Sequence, residues 1–406
     1  MRYRVGTVLV AVLTLGLAAC GSADKSDGSG SASSDPYRIV IVAGVSQTSA
    51  SALNAKAAVQ AVKAAADVLN KAGGVAGHKV EVEVLDDQGQ PTTAVSKLQQ
   101  RLSSGPKPNL VLPGNTSAEV LPSVSVTTAN KVLVVTQAGS TDLNNPSKYP
   151  YTFSIVPSTG SWGLALAEYA KSKGFSKVAI LSGTDAYGST VATAAKAALK
   201  DAGLTLTGAE TYQAADLDMT AQLQRLKAGN PQLLYLQGFG AAIGHALDSR
   251  TKLGLTDLPV LGDATMGVTS LVFTPKPDGL LGTPALQNVS VQTFVGNVQA
   301  SGQAPAAMTT MINALKAQGP IQLPLNTYTG YDAVMLAAYA AGKAGLTDAA
   351  AQAKVLESDL SGVADPKWGL TTRYLFSGSQ HIPAADATVV ATVTPTALVD
   401  GQYTRT

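Results

Sequence analysis

Cysteine occurs once in the 406 residues, at position 20, and histidine three times, as His78, His245 and His381. A lone thiol excludes a disulfide within the chain, so stability must come from packing, for which a chain of this length has ample interior. The histidines lie far apart, none beside a second ligand type at metal spacing, and His78 follows Gly77 in a turn expected to be solvated. There is no thiol nucleophile in the body of the chain, no G-x-S-x-G elbow, no Walker loop and no G-x-G-x-x-G after the first strand. Catalytic residues, metal ligands and cofactors are therefore not expected, and the sequence does not read as an enzyme. The 29 Lys and Arg nearly balance the 27 Asp and Glu, with few basic clusters, which excludes an electrostatic footprint for nucleic acid. Long apolar runs are missing too. The one continuous stretch, Val5 to Ala19, falls short of the roughly 20 residues that span a bilayer.

What is present at the start is a pattern. Arg2 and Arg4 precede the uncharged stretch, which closes on Leu17-Ala18-Ala19-Cys20-Gly21. A short basic head, an apolar run and small residues at the cut read as a secretory signal. A plain signal with an incidental cysteine, or a membrane anchor, are the alternatives. A cysteine directly after the small pair resembles a bacterial lipoprotein signal, which implies cleavage before Cys20 and a lipid on its thiol. Removal of residues 1–19 would take away two basic residues and no acidic one, leaving a formally neutral mature chain. Residues 20–36 follow as a lipidated cysteine and tether. Gly21 to Asp35 carries no apolar residue larger than Ala. Such a tract cannot offset its ordering entropy and spans roughly 20 Å as a coil.

From Tyr37 the chain becomes rhythmic. Apolar β-branched runs at 38–43, 80–85, 110–112 and 132–135 alternate with helical spacings at 52–72, 92–102 and 118–129. Gly73-Gly74 marks the end of the first helix. The cycle restarts with strands at 178–181, 205–212, 233–236 and 260–261, and helices at 189–202, 220–227 and 241–253. Strands alternating with helices need crossover connections, hence parallel sheets. The fold class is α/β, with two doubly wound parallel-sheet lobes divided near Tyr151 to Pro157. Helices are expected at 304–318, 332–343 and 349–360, and a late strand at 388–393.

In open parallel sheets ligands sit at the carboxyl ends of strands, where helix N-termini present N–H groups. The loops to examine are Pro113 to Ser117, Thr136 to Asp142, Ser182 to Gly188, Gln237 to Gly240 and Gly262 to Thr265. Thr116-x-x-Glu119 also fits a capping box, a purely structural role compatible with ligand binding. Asp263 is either a cap of the turn after Gly262 or a charged ligand partner. The pair Asp86-Asp87 places successive carboxylates on opposite faces, against a shared acid–base site.

These residues carry a resemblance. Asn70-Lys-Ala-Gly-Gly-Val-Ala-Gly-His-Lys79, Val80 to Gln88, Gly114 to Ser117, Gln137 to Thr141, Asp185 to Gly188, Tyr235 to Gly238 and Trp368 to Leu370 follow in order. The series, covering about Tyr37 to Thr394, resembles type I periplasmic binding proteins of ABC importers, nearest the branched-chain amino-acid-binding group. The resemblance implies two lobes joined by a three-segment hinge, with a small polar ligand trapped between them. It places the crossings near Ile155-Val156-Pro157, near Leu286 to Val291 and near Trp368 to Thr371. Lobe I would then be 37–156 plus 287–367, and lobe II 157–286 plus 368–406. Residue by residue, Thr116 and Ser117 match the contact to an amino-acid carboxylate, with Asn115 beside them as a further candidate ligand-binding residue. Ala138, Ser140 and Thr141 match the second loop, whose carbonyl and hydroxyl hold ammonium and carboxylate. Tyr187 matches a cleft-closing aromatic, Phe239 a wall position, and Asp263 stands near the position of the family's ammonium partner. The implied protein is an extracytoplasmic, lipid-anchored monomer that delivers an amino acid to an ABC permease. A ligand-sensing receptor component of the same fold, or an amide, urea-like or organic-acid ligand, is the alternative.

Overall fold

The computed structural model describes residues 35–47, 52–156, 158–238, 240–300, 302, 304–358, 360 and 374–404. The signal stretch, Cys20, Pro157, Phe239 and the segment 368–371 lie outside the described residues. Within them, two α/β lobes form around two sheets.

The first sheet runs β2-β1-β3-β4-β5, all parallel. Its strands are β1 (Tyr37–Val42), β2 (Val80–Leu85), β3 (Leu110–Leu112), β4 (Leu133–Thr136) and β5 (Thr152–Ser154). Alternate side chains along β1 divide between two cores: Ile39 and Ile41 join one, Val40 and Val42 the other, as the period of a strand requires. The first core is closed by α1 (Ala52–Lys71), α10 (Ala306–Gln318), α11 (Pro324–Ala344) and α12 (Ala349–Ser358). The opposite face is covered by α2 (Pro91–Ser103) and α3 (Ser117–Ala129). α1 owes its tight docking to small residues, since Ala58, Ala61, Ala64 and Ala65 are all buried against α11 and the sheet.

The second sheet runs β11-β10-β9-β8-β6-β7, parallel except for the edge strand β11. Here β6 is Lys177–Gly183, β7 Thr205–Tyr212, β8 Leu233–Gln237, β9 Val260–Gly262, β10 Val289–Phe294 and β11 Val390–Val393. α4 (Thr159–Ser172) and α5 (Ala186–Asp201) pack on one face. α6 (Thr220–Ala228), α7 (Ala241–Lys252) and the short α8 (Ala264–Gly267) and α9 (Ser270–Phe273) pack on the other. Among the described residues no helix is long and apolar enough to cross a membrane.

Two expected boundaries need correction. The segment 286–291 is not a crossing, because β10 pairs with β9 and β11 inside the second sheet. The chain returns to lobe I only after Val298, which still packs in the second-lobe core, so residues up to there belong to lobe II. Likewise Tyr374, Phe376 and Ile382 still pack in lobe I, and β11 is the next element of lobe II. The third crossing therefore lies after Ile382. The helix α4 and strand β5, both inside or beside the stretch read as a divider, were not expected from periodicity; β5 has only three residues.

The turn after α1 explains the Asn70-Lys-Ala-Gly-Gly motif. Gly74 N–H donates to the Leu69 carbonyl at 2.8 Å, with φ at +80°. The Asn70 side chain grips Val80 at both ends, donating to its carbonyl at 3.0 Å and accepting its N–H at 2.7 Å. A Cβ on Gly74 would lie 2.1 Å from the His78 carbonyl oxygen, whereas one on Gly73, at φ +94°, would meet nothing within 4 Å. Gly73→Ala should thus incur only the left-handed conformational penalty, about 1–2 kcal/mol. Gly74→Ala should destabilise by clearly more. Urea denaturation of the two variants checks the ordering.

Candidate functional site

Three turns at the carboxyl ends of strands, one of them reinforced by α11, build a cleft between the lobes. After β3, Gly114 takes φ +120°, and a Cβ there would strike Glu119 at 2.7 Å. That close approach lets the Glu119 carboxylate accept from Asn115 N–H at 2.9 Å and Thr116 N–H at 3.0 Å. The Thr116 hydroxyl accepts in return from Glu119 N–H, completing the capping box. The N–H groups of Ser117 and Ala118 at the start of α3 are not engaged by this cap, and the helix dipole makes them suited to an anion.

The second loop is locked to the first. Ser140 N–H donates to the Ser117 hydroxyl at 3.1 Å, so the proton of that hydroxyl remains for another acceptor. Ser140 is fully buried, and its own hydroxyl caps Asp142 N–H at 3.3 Å. The Ala138 carbonyl accepts from the Ser154 hydroxyl at 2.7 Å. Gln137 reaches across to α11, donating to the Asn326 carbonyl at 2.7 Å and the Thr329 hydroxyl at 2.9 Å.

Lobe II contributes the opposite wall. Asp185 caps α5 by accepting from Tyr187 N–H and Gly188 N–H, both at 3.0 Å. This cap aims Tyr187 across the cleft, where a Cβ on Gly139 would lie 2.8 Å from its ring. The Tyr187 hydroxyl accepts from the indole of buried Trp162, and burial holds it well above its usual titration range, so it stays protonated. Trp162 is braced in turn by Phe294, ring centroids 5.2 Å apart.

Between these walls lies about 610 Å³ of empty space, open solvent included. Of the expected residues, Asn115, Thr116, Ser117, Ala138 and Tyr187 line it. Ser140 stands behind Ser117, Thr141 is exposed, and neither is on the wall. Sequence reasoning missed Asn54, Trp162, Asn326 and Thr329, which also line it. They come from helix starts and α11, where helical periodicity marks only a buried face. Gln137 stood in an examined loop but carried no motif of its own. A second, wider cavity of about 1020 Å³ adjoins the first, shares Thr116, Ser117 and Tyr187 with it, and extends to Asp185 and Tyr212. No charged side chain lines the first cavity among the described residues. Nor do His, Cys, Asp and Glu gather there into a group able to hold a metal ion. The arrangement supports binding by hydrogen bonds and apolar contact.

Of the two roles open to Asp263, the one seen in the structure is the cap. It is fully buried and on the wall of neither cavity. One carboxylate oxygen caps α8, accepting from Thr265 N–H at 3.0 Å and from the Thr265 hydroxyl. The other meets no donor among the described residues. Burial pushes the carboxyl up to about 7, with the Thr265 hydrogen bonds opposing and the charge of Asp185 adding to the rise.

Comparison with known proteins agrees with this architecture. A family model described as periplasmic binding protein matches residues 38–394. The chain is 31% identical over 299 residues to Leu/Ile/Val-binding protein homolog 3 of Brucella melitensis, spanning 72% of this chain and 76% of that one. It is 23% identical over 296 residues to the leucine-, isoleucine-, valine-, threonine- and alanine-binding protein of Pseudomonas aeruginosa, spanning 73% and 75%. Among solved structures, the branched-chain amino acid transporter substrate binding protein LivJ of Streptococcus pneumoniae, in complex with isoleucine, superposes with a TM-score of 0.72. That match covers 91% of this chain and 98% of the other at 19% identity, which speaks for the fold alone.

Two outcomes follow from these placements. A carboxyl raised from 3.8 to about 7 binds a proton more tightly folded than unfolded. Its contribution to stability is fully present below pH 4 and falls as pH rises to 7, by up to about 1.4 kcal/mol per pH unit. Asp263→Asn, which keeps the capping oxygen, should remove that decline, so denaturation at pH 5 and pH 8 should show the variant gaining on wild type at the higher pH. Gly139→Val should displace Tyr187 and weaken ligand binding while leaving the melting temperature within a few degrees; calorimetry alongside thermal unfolding separates the two effects.

Proposed function

Because the chain belongs to the periplasmic binding protein family, whose members capture solutes for ABC transporters and are not enzymes, we propose that it is the lipid-anchored solute receptor of an importer for an L-amino acid. The observation that carries the reading is the pairing, across one cavity, of the α3 N-terminus and Ser117 with Tyr187 from the other lobe. An α-carboxylate would accept from Ser117 and Ala118 N–H and from the Ser117 and Thr116 hydroxyls. The ammonium would donate to the second lone pair of the Ala138 carbonyl, with the Tyr187 ring over it. Ser140 acts through Ser117, holding that hydroxyl in place.

A ligand favours a closed arrangement only by contacting both lobes. The three inter-lobe segments, after Ile155, after Val298 and after Ile382, are where the rotation of a hinge closure would be absorbed. The anchor rests on Leu17 to Gly21 and the tether that follows. The relatives' names, which give leucine, isoleucine and valine among other small residues, support an amino acid as the ligand class.

Titration calorimetry with L-amino acids should find one bound per chain. Ligand at about 100 times its dissociation constant should add roughly 2.7 kcal/mol of stability. The methyl ester of the same amino acid should bind about 1.5–3 kcal/mol more weakly, since it loses hydrogen bonds to a charged group. Failure of every L-amino acid to bind would sink the reading. For the anchor, Cys20→Ala should leave folded protein outside the membrane fraction; retention there after signal removal would refute it.

A further inference from the structure

The first cavity offers an ammonium no opposite charge. Among the described residues its wall is neutral, with Val156, Trp162, Val268 and Leu325 as its large apolar members. The Ala138 carbonyl can accept one N–H, but a dipole offsets only part of the cost of taking a full charge out of water. Asp263 presents no carboxylate to either cavity, because it is turned into the start of α8.

The wider cavity does hold a charge. Asp185 is exposed and is the one charged side chain on its wall among the described residues. It caps α5 with a single oxygen, since Oδ1 accepts from both Tyr187 N–H and Gly188 N–H. Oδ2 accepts from no donor among the described residues. A Cβ on Gly183 would lie 2.8 Å from Oδ2, so the glycine leaves that side of the oxygen uncovered at the end of β6. Tyr187 and Tyr212 line the same space, and phenol rings are surfaces that attract a cation. The charge of Asp185 reaches across the floor of the cleft, where it adds to the rise that burial imposes on Tyr187, Tyr212 and Asp263.

The two cavities meet at Thr116, Ser117 and Tyr187, and Ala118 lines the wider one. The groups assigned to the ligand's carboxylate thus stand on the shared wall, with apolar side chains to one side and Asp185 to the other. An amino acid seated there carries its ammonium one carbon from the carboxylate, with its side chain pointing elsewhere. One placement alone pairs charge with charge and apolar surface with apolar surface. We infer that Asp185 is the charge partner of the ligand's ammonium, which sits at the mouth of the wider cavity while the ligand's side chain fills the first. This rests on the amino-acid reading above. It makes Asp185 the residue that selects an α-amino acid over an acid of the same skeleton lacking the amino group.

Calorimetry on the full chain tests it with L-leucine, L-valine and L-alanine, each beside the 2-hydroxy acid of the same carbon skeleton, in the wild type and in Asp185→Asn. Asn caps a helix about as well as Asp, so the variant should melt within a few degrees of the wild type. The wild type should bind an amino acid about 10- to 100-fold more tightly than its hydroxy acid, the range set by hydrogen bonds to a charged group. In Asp185→Asn that preference should fall to a few-fold, through loss of amino-acid affinity with the hydroxy acid little changed. Asp185→Ser, a second uncharged cap, should behave alike. Amino-acid affinity that survived both substitutions would overturn the inference and leave the amino-acid reading standing. Equal weakening of both kinds of ligand would assign Asp185 to shaping the turn that carries Tyr187, and would overturn it too. A wild type that bound none of the L-amino acids would overturn both.

Discussion

Parallel pairing forces each strand to hand its chain to a crossover at the carboxyl end, and the helix that starts there opens with N–H groups lacking partners in the helix. The cleft is arranged by how that requirement is met. Thr116, Ser140, Asp185 and Asp263 each place a side-chain oxygen on a first-turn N–H. Each cap fixes the direction of its neighbours, so Ser117 and Tyr187 are aimed by the residues before them. Ser117 then joins the loops after β3 and β4 through Ser140 N–H. The site is a by-product of capping, with the groups that capping leaves over facing one another across the gap.

That logic explains which parts were legible in the sequence. The alternation of apolar runs and helical spacings located both sheets, and the Gly73-Gly74 stop located the end of α1. What periodicity could not see were elements too short to show a period, such as β5, and β10, whose Val289 to Phe294 run lies among turns. The site was legible where a loop follows a strand, as at Asn115, Thr116, Ser117 and Ala138. It was illegible where the wall is a helix, because Asn54, Asn326 and Thr329 occupy helical positions that differ from core positions only by facing a cavity. Asp263 was legible only as a pair of alternatives. A carboxylate past a strand end suits a ligand ammonium and an N-cap equally well in sequence, and the hydroxyl two residues on, Thr265, is what draws it inward.

The electrostatic character of the cleft follows from the same placement. Asp185 and Asp263 are both directed into helix starts, so neither presents a carboxylate to the first cavity. Burial raises the titration of Tyr187, Tyr212 and Tyr235 far beyond the neutral range, and the charge of Asp263 adds to the rise. The cavity is left to neutral dipoles.

The chain crosses between the lobes more than once, and this has a bearing on how the protein is made. α11 lies almost wholly in the first core and begins at Pro324, long after β5 ends at Ser154. As the chain emerges from a ribosome or a secretion channel, the first sheet can assemble while one apolar face is covered by α1 alone and still lacks α10, α11 and α12. The second sheet, contiguous from β6 to β10, forms in the interval and waits only for its edge strand. Contacts of such long sequence separation slow folding and prolong the exposure of apolar surface. The first core thus stays open until α11 and α12 have been made, and the last strand to join either lobe is β11.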